Sequence, residues 1–399
     1  MEFSPQSLKA LLFTDADVFA GTERHMLDLA RSLRDLSVPV SIGCPAQGVL
    51  GVRAREAGFP VVHIAKQGQI DFPAIRQLRR LLESGEIDLI HAHNGRTHVA
   101  AAWAVAGARR GACIATQHFL SPARTGRSGL KAMLAAFLHR RAMKSTAHVI
   151  AISDAVRDAA IARGEVTPEK ITTVHNGIFP PAQAQDADPG TVRKSLGISF
   201  NAPLIVCAAR LQKEKDIPTL IAAMRAVATR VPGARCLIAG DGDQRPILQD
   251  HIDRLGLRES VTLLGFRADV ADLLNACDLF ALPSLAEPFG LALVEAMALG
   301  KPVIATRAGG PREIVDHGRT GLLVTPSNPE SLAAAISDLL GDNAKRHAMG
   351  AAARERYLQK FTAAAMAGSL LEIYLRAVER RGPVQRPSTA SSQLSMSDA

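Results

Sequence analysis

Cysteine and aromatic residues are scarce in this chain of 399 residues. Aromatic residues make up 4% of it, which argues against the stacking surfaces that single-stranded nucleic acids require. No Cys-x-x-Cys pair occurs, so we expect buried thiols in a reducing compartment rather than a disulfide framework or a zinc site. The cysteines are Cys44, Cys113, Cys207, Cys236 and Cys277.

Long apolar segments are lacking as well. The sequence contains no uncharged apolar run of 18 residues, and its first residues show no basic stretch followed by an apolar one. We therefore expect neither a transmembrane helix nor a signal peptide. The expected location is the cytoplasm, with peripheral contact at the inner face of the plasma membrane as the alternative. A Gly-x-Gly-x-x-Gly dinucleotide fingerprint is also missing.

Acidic residues are missing from one long segment. Between Asp88 and Asp154 there is no Asp or Glu, and the chain as a whole has a net charge of +9. This asymmetry indicates an anionic partner of the first half, such as phosphates or acidic lipids; a merely solvated basic surface is the alternative. We assign an acceptor-side or membrane-side role to Arg124, Arg127, Lys131, Arg140, Arg141 and Lys144.

Short apolar runs alternate with helical patterns along most of the chain. This alternation predicts parallel sheets covered by helices on both faces, that is, an α/β protein. A polar, turn-rich segment at 179–190 divides the pattern into two Rossmann-like, doubly wound domains facing a cleft. The predicted parts are a first domain at 1–180, a second at 181–360, a terminal helix at 361–380 and a disordered tail at 381–399.

The predicted strands follow the apolar runs. In the first domain they are 8–14, 38–43, 60–65, 87–92, 113–117, 149–152 and 171–174. In the second domain they are 204–209, 235–239, 261–264, 279–282, 302–305 and 321–324. Ligands of such sheets bind beyond the carboxyl ends of the strands.

Two glutamates, Glu287 and Glu295, enclose the most informative segment of the second domain. Pro288 disfavours helix at the residue before it, so Glu287 is expected on a loop. Helical spacing begins near Leu291, and Gly300 is placed to end the helix. The first amides of that helix would form an anion site with a carboxylate on either side. Such a site suits a ligand that combines a pyrophosphate with a sugar.

Other polar residues follow predicted strands. Arg210 and Lys215 come after the first strand of the second domain, where two cations could bind a diphosphate; a solvated loop is the alternative. Gly240 follows the next strand. In the first domain, Gly21 opens a helix and would let backbone amides approach a ligand. His118 follows a strand and is expected to face the cleft, where it could bond a sugar hydroxyl or a phosphate; a loop histidine without such a role is the alternative.

The pair His91 and His93 raises the question of a metal. With strand alternation both side chains would face one side, but no third ligand is evident from the sequence. We therefore expect no metal site and no metal cofactor.

Taken together, these segments resemble glycosyltransferase family 4, a large group of retaining enzymes with the GT-B fold. The resemblance extends to about residue 375. The chain departs from the family pattern at Ala20, where glycine is usual, and at Pro288, where glycine is common and proline also occurs. The matching motifs are Gly21-Thr-Glu23, Asp88-Leu-Ile-His-Ala-His93, Thr116-Gln-His118, Ile150-Ala-Ile-Ser153, Val174-His-Asn-Gly-Ile178, Arg210 with Lys215, Gly240-Asp-Gly242, Glu287 with Glu295, Ala308-Gly-Gly310 with Glu313, and Gly318-Arg-Thr-Gly-Leu-Leu-Val324.

The resemblance implies roles for individual residues. Glu287, His118, Lys215 and Arg210 would take part in catalysis. Glu295 would bind the ribose, and the terminal helix would cross back onto the first domain. The donor-binding residues would be Gly21, Arg210, Lys215, Gly240, Phe289, Gly290, Leu291 and Glu295.

The resemblance implies a retaining transferase that needs no cofactor. It would move a sugar from a nucleotide-diphosphate sugar to a hydroxyl of a lipid-linked or cell-envelope saccharide. A nucleotide-sugar epimerase on a similar fold and a non-catalytic nucleotide-sugar-binding subunit are the alternatives. A nucleic acid is not expected as a partner.

Overall fold

The protein is described here by a computed structural model. The described residues are 5–16, 20–64, 71–120, 130–181 and 188–380, with the backbone alone for 130–136. These residues form two parallel β-sheets, each flanked by helices.

The first sheet has the strand order β3-β2-β1-β4-β5-β6-β7, with every pair parallel. Its strands are β1 Ala10–Phe13, β2 Val40–Cys44, β3 Val61–His63, β4 Leu89–Ala92, β5 Ala112–Gln117, β6 His148–Ala151 and β7 Ile171–Thr173.

The second sheet has the strand order β10-β9-β8-β11-β12-β13 and is also parallel throughout. Its strands are β8 Leu204–Ala208, β9 Arg235–Ala239, β10 Val261–Gly265, β11 Leu279–Leu282, β12 Val303–Thr306 and β13 Gly321–Val324. In both sheets the order reverses beside the first strand, which is the position where doubly wound folds bind ligands.

Helices connect the strands. In the first half they are α1 Gly21–Asp35, α2 Val49–Glu56, α3 Phe72–Ser84, α4 Gly95–Gly107, α5 Leu130–Ser145 and α6 Asp154–Ala162. In the second half they are α7 Pro189–Ser195, α8 Ile217–Arg230, α9 Arg245–Arg254, α10 Val270–Ala276, α11 Leu291–Ala298, α12 Pro311–Ile314, α13 Pro329–Gly341, α14 Asn343–Lys360 and α15 Ala363–Glu379.

The first sheet separates two hydrophobic clusters, as strand geometry requires. Successive side chains of a strand point to opposite faces. Leu12 accordingly packs in one cluster with Leu29 of α1, and its neighbours Leu11 and Phe13 pack in another with Leu78 of α3. Because both faces are covered, the strand is apolar at every position rather than at alternate ones.

Helix α15 returns to the first domain. A bridge between Thr362 and Ile178 marks the crossing point, and α15 then packs along α1. Met366 and Leu370 join the hydrophobic cluster of the first domain. The hydroxyl of Tyr374 bonds Nδ1 of His91 at 2.5 Å. The last helix is therefore part of the first domain's core.

The predicted fold class is confirmed, including the terminal helix that crosses back. Each predicted strand is present, with ends within two residues of the prediction. The predicted polar segment at 179–190 needs one correction, because α7 already begins at Pro189, after an Asp188 side chain that accepts from the amide of Thr191. Residues 182–187 and the tail predicted as disordered, 381–399, lie outside the described residues.

Candidate functional site

The second domain brings Lys215 and Glu287 together at the carboxyl edge of its sheet. Lys215 ends a short 3-10 turn after β8, and Glu287 lies on the loop after β11. The Lys215 ammonium donates to Oε2 of Glu287 at 2.5 Å, and the Ser284 hydroxyl donates to the same oxygen at 3.0 Å. Side-chain exposures of 13% and 9% leave both charges largely shielded from water, which strengthens their attraction.

The loop after Glu287 leads directly into α11. Gly290 precedes the helix with φ of 114°, and a Cβ at that position would lie 2.9 Å from the Leu293 side chain. Only glycine adopts this conformation easily, so the turn requires it. The amides of Leu293 and Val294 donate to the carbonyl of Gly290 at 3.0 and 3.3 Å. The two amides before them, of Leu291 and Ala292, lie at the positive dipole end of the helix. They can hold an anion.

Glu295 lies in the second turn of α11 and contacts the other domain. Its Oε1 accepts from the Arg24 guanidinium of α1 at 2.5 Å. The pKa of Glu295 is raised above its usual value, because the effect of burial exceeds the opposing effect of the Arg24 charge. Gly21, at the start of α1, is close to the start of α11, since a Cβ there would lie 3.4 Å from the Leu291 side chain. The structure thus places Gly21, Leu291 and Glu295 at one contact between the domains.

Phe289 uses its side chain for packing. It is 2% exposed, and its ring lies 6.0 Å from that of His175 and 6.1 Å from that of Phe361. Any contact with a ligand would therefore come from its backbone. The carbonyl of the preceding Pro288 accepts from the Ser153 hydroxyl of the first domain at 2.6 Å.

Arg210 and Gly240 occupy the neighbouring strand ends. Arg210 is 65% exposed and lies 3.5 Å from Glu214, so the structure does not bring it into the pair formed by Lys215 and Glu287. Gly240 follows β9 with φ of 138°, and a Cβ there would lie 1.9 Å from the carbonyl oxygen of Ala209. Gly240 therefore permits close packing of two loops.

His118 lies at the carboxyl end of β5 but is only 6% exposed. Its Nε2 is 3.3 Å from Nδ1 of His93. The ring of His25, on α1, packs against both. Burial lowers the pKa of His118 well below its usual value, and the neighbouring His25 and His91 lower it further. This histidine is therefore neutral near pH 7.

The pair His91 and His93 divides into two environments. Both ring nitrogens of His91 are bonded, to Tyr374 at 2.5 Å and to Thr116 at 2.6 Å. His93 instead joins His25 and His118. Two groups among the described residues could hold a metal: His25 with His93 and His118, and Asp154 with His175 and Glu313.

The predicted basic acceptor-side segment is described in part. Arg124 and Arg127 lie outside the described residues, and Lys131 lies in the part of α5 described by its backbone alone. Arg140, Arg141 and Lys144 are exposed, while Ala142 between them is buried.

Sequence reasoning missed the contacts that join the domains. It did not give Arg24 a role, nor did it pair Glu313 with α6. The Glu313 carboxylate accepts from the amides of Asp154 and Ala155 at 2.7 and 2.9 Å, and from His175 at 2.8 Å. Of Arg24 and Glu313, only Glu313 belongs to a motif recognised in the sequence. That motif did not indicate that Glu313 would contact α6 and His175.

Comparisons with known proteins agree with this architecture. Residues 190–356 match the model for "Glycosyl transferases group 1", and residues 19–180 match the model for "Glycosyltransferase Family 4". An uncharacterized glycosyltransferase of Methanocaldococcus jannaschii is 30% identical over 310 residues, which are 76% of this chain and 78% of that protein.

Solved structures are similar over most of the chain. The Anabaena protein HepE, solved in complex with UDP-glucose, is 30% identical with a TM-score of 0.76, over 92% of this chain and 98% of that one. A glycosyltransferase of Rickettsia africae, at 20% identity, shares the fold with a TM-score of 0.82, over 93% of this chain and 99% of that one.

Among the described helices, none combines the length and apolar character needed to cross a bilayer. The predicted family and enzyme class are both confirmed by the matches across the two domains. The chain belongs to glycosyltransferase family 4 and is a glycosyltransferase with the GT-B fold.

Proposed function

We propose that the protein moves a sugar from a nucleotide-diphosphate sugar to a hydroxyl of a lipid-linked or cell-envelope saccharide, with retention of configuration. One observation carries the proposal: the pairing of Lys215 with Glu287 beside the first turn of α11. Carboxylate, cation and helix amides together suit a sugar joined to a diphosphate. The Anabaena relative was solved with UDP-glucose, which supports this class of donor.

In the proposed complex, Glu287 accepts hydrogen bonds from the sugar and Lys215 lies beside the diphosphate. Arg210, exposed in this structure, turns toward the phosphates. Glu295 accepts from the ribose hydroxyls, so Arg24 must share or release this carboxylate when donor binds. His118 contributes near the sugar.

The leaving diphosphate gains negative charge in the transition state. Fixed cations and amides directed at that charge favour the transition state, typically by ~2.7–4 kcal/mol per donor. We propose that these groups make a divalent metal unnecessary for transfer. The departing phosphate would help to deprotonate the acceptor hydroxyl from the same face, which accounts for retention without a protein nucleophile.

Thermal unfolding across a panel of nucleotide sugars tests the proposed donor class. A donor at 100 times its dissociation constant stabilises the native state by ~2.7 kcal/mol. The nucleotide sugar that is the donor should therefore raise the midpoint of thermal unfolding more than the others do. The Glu295→Gln variant should lose most of this shift. No shift with any member of the panel would contradict the proposal.

The reaction type and the metal requirement are tested with that donor. An epimerase would convert the donor without an acceptor, and a binding subunit would leave it unchanged. We expect nucleotide diphosphate to be released when an acceptor is present. The rate of this release should be unchanged by EDTA. Loss of the rate in EDTA, restored by a divalent ion, would contradict the metal-free mechanism.

The acceptor is proposed from the charge of the first domain. Exposed Arg140, Arg141 and Lys144 of α5 would attract an anionic acceptor or the inner face of the plasma membrane. A combined neutral variant of these three should bind anionic vesicles less than wild type at low salt, with donor affinity unchanged. Salt should weaken binding of wild type, because exposed charges are screened over about 8 Å at physiological ionic strength. Equal co-sedimentation of both proteins would contradict this part.

A further inference from the structure

Three histidines from separate elements meet beneath the carboxyl edge of the first sheet. His25 lies on α1, His93 follows β4 and His118 follows β5. They are 4%, 1% and 6% exposed. Their ring centroids form a nearly equilateral triangle with sides of 5.2, 5.5 and 5.5 Å.

The rings of this cluster have few hydrogen-bond partners among the described residues. Nδ1 of His93 and Nε2 of His118 contact each other at 3.3 Å, and three other nitrogens have no partner there. Both ring nitrogens of His25 are buried without a partner, and so is Nε2 of His93. His91, in contact with His93, has both of its nitrogens bonded. Buried polar atoms are nearly always satisfied, because leaving them unpaired is costly. The facing nitrogens of His93 and His118 have no other partner among the described residues, and His25 has two unpartnered nitrogens. A cation between the rings could accept one lone pair from each of the three histidines.

The geometry matches a tetrahedral metal site. With a bond of ~2.0–2.1 Å from zinc to each nitrogen, tetrahedral angles place the bound nitrogens ~3.4 Å apart and the ring centroids ~5.2 Å apart. Here Nδ1 of His93 and Nε2 of His118 are 3.3 Å apart. One nitrogen from each of the three rings lies within 4.8 Å of the others, so side-chain rotations that bring the third nitrogen to ~3.4 Å from the first two would complete the site.

The charge state suits a metal as well. Burial lowers the pKa of His25 to about 4 and those of His93 and His118 well below their usual value. Near pH 7 all three imidazoles are neutral, and the neutral form is the one that binds a metal.

The second cluster of ligand types does not share these features. Both oxygens of Glu313 already accept hydrogen bonds, from the amides of Asp154 and Ala155 and from His175. That cluster is explained by the contact between α12 and α6.

We propose that His25, His93 and His118 bind one divalent transition-metal ion of the zinc class, leaving a fourth coordination position open. Three histidines with an open position resemble the sites in which zinc keeps an exchangeable ligand. This binding is separate from the metal-free transfer proposed above. An ion in the site would occupy a lone pair of His118 and withdraw that nitrogen from the donor sugar.

Titration of chelator-treated protein with Co²⁺ tests the proposal, with the visible absorption of four-coordinate cobalt as the signal and Zn²⁺ as the competitor. We expect one site per chain, displaced by zinc. His25→Phe and His93→Gln should each weaken binding by more than about 100-fold, because even loss of an outer partner of a metal ligand costs 10–100-fold. His175→Gln and His347→Ala, at the second cluster and on an exposed surface, should bind as wild type does.

Thermal unfolding without metal separates loss of a ligand from loss of the fold. His25→Phe removes two unpartnered buried nitrogens, so its metal-free midpoint should be no lower than that of wild type, while its shift on adding Zn²⁺ should vanish. If this variant is unfolded, His93→Gln decides the question by the same two measurements. Absence of saturable binding, or equal affinity in wild type and a folded ligand variant, would overturn the proposal and leave a water-filled polar cluster.

Discussion

Two carboxylates of the candidate site are already paired with cations in the structure. Lys215 is bound to Glu287, and Arg24 to Glu295. Each pair shields a buried or half-buried charge in the ligand-free protein. A donor would replace part of each pair with its own phosphates and hydroxyls. Under the proposed function, donor binding would therefore require these side chains to move.

The two cations proposed to bind the diphosphate, Lys215 and Arg210, are predicted to act as a unit. Lys215→Ala and Arg210→Ala should each weaken binding of nucleotide diphosphate and slow transfer, with a double variant less impaired than the sum of the two. Lys215→Ala should also lower the free energy of unfolding by about 3 kcal/mol, because it leaves Glu287 buried without its cation. Calorimetric titration and urea unfolding measure both effects.

Arg210→Ala provides the control for stability. Its side chain is 65% exposed, so its effect on the free energy of unfolding should be within ~1 kcal/mol. Wild-type affinity and rate in either single variant would remove that residue from the donor site.

Among the elements, α15 has the clearest structural effect to test. Tyr374 bonds the buried His91 from this helix. Tyr374→Phe would leave Nδ1 of His91 unsatisfied, and we expect the free energy of unfolding to fall by about 1–3 kcal/mol. Urea unfolding of the two proteins measures the difference.

Arg376 on the same helix is the matched comparison. It is 65% exposed and pairs only with Glu372 among the described residues, so Arg376→Ala should change the free energy of unfolding by less than ~1 kcal/mol. Equal effects of the two substitutions would mean that the bond between Tyr374 and His91 contributes nothing specific.

At the scale of the whole molecule, buried neutral histidines should make stability depend on pH. Burial lowers the pKa of His98 to about 3, with smaller contributions from the charges of His139 and Lys170. Its usual pKa is about 6.5. The unfolded state thus binds a proton between these values that the folded state does not. The stability due to neutral His98 is full above about pH 6.5 and is lost as the pH falls toward 3.

His98→Gln tests this dependence, since its amide can still bond Thr146, as His98 does at 2.7 Å. Between pH 6 and 4 the free energy of unfolding should fall less steeply for the variant than for wild type. The two slopes should differ by about 1.4 kcal/mol per pH unit. Urea unfolding at several pH values measures the slopes. Parallel slopes would show that His98 does not titrate as the structure implies.

The sequence predicted the architecture far better than it predicted the contacts within the site. Buried parallel strands are apolar throughout and are separated by helices, so every strand could be located from local pattern. Arg24 and Glu295 are 271 positions apart, and no local pattern encodes how the two domains face each other. For the same reason the sequence did not show that His25 joins His93, or that Arg210 lies apart from Lys215.

The most direct test of the central claim is the Glu287→Gln variant, with Glu372→Gln on the exposed surface of α15 as its control. Because Glu287 is proposed to bind the sugar rather than the phosphates, release of nucleotide diphosphate from the donor should slow by about 100-fold or more. Binding of free nucleotide diphosphate should stay nearly unchanged, and the control should resemble wild type in both. An equal loss of nucleotide affinity, or an undiminished rate, would contradict the account.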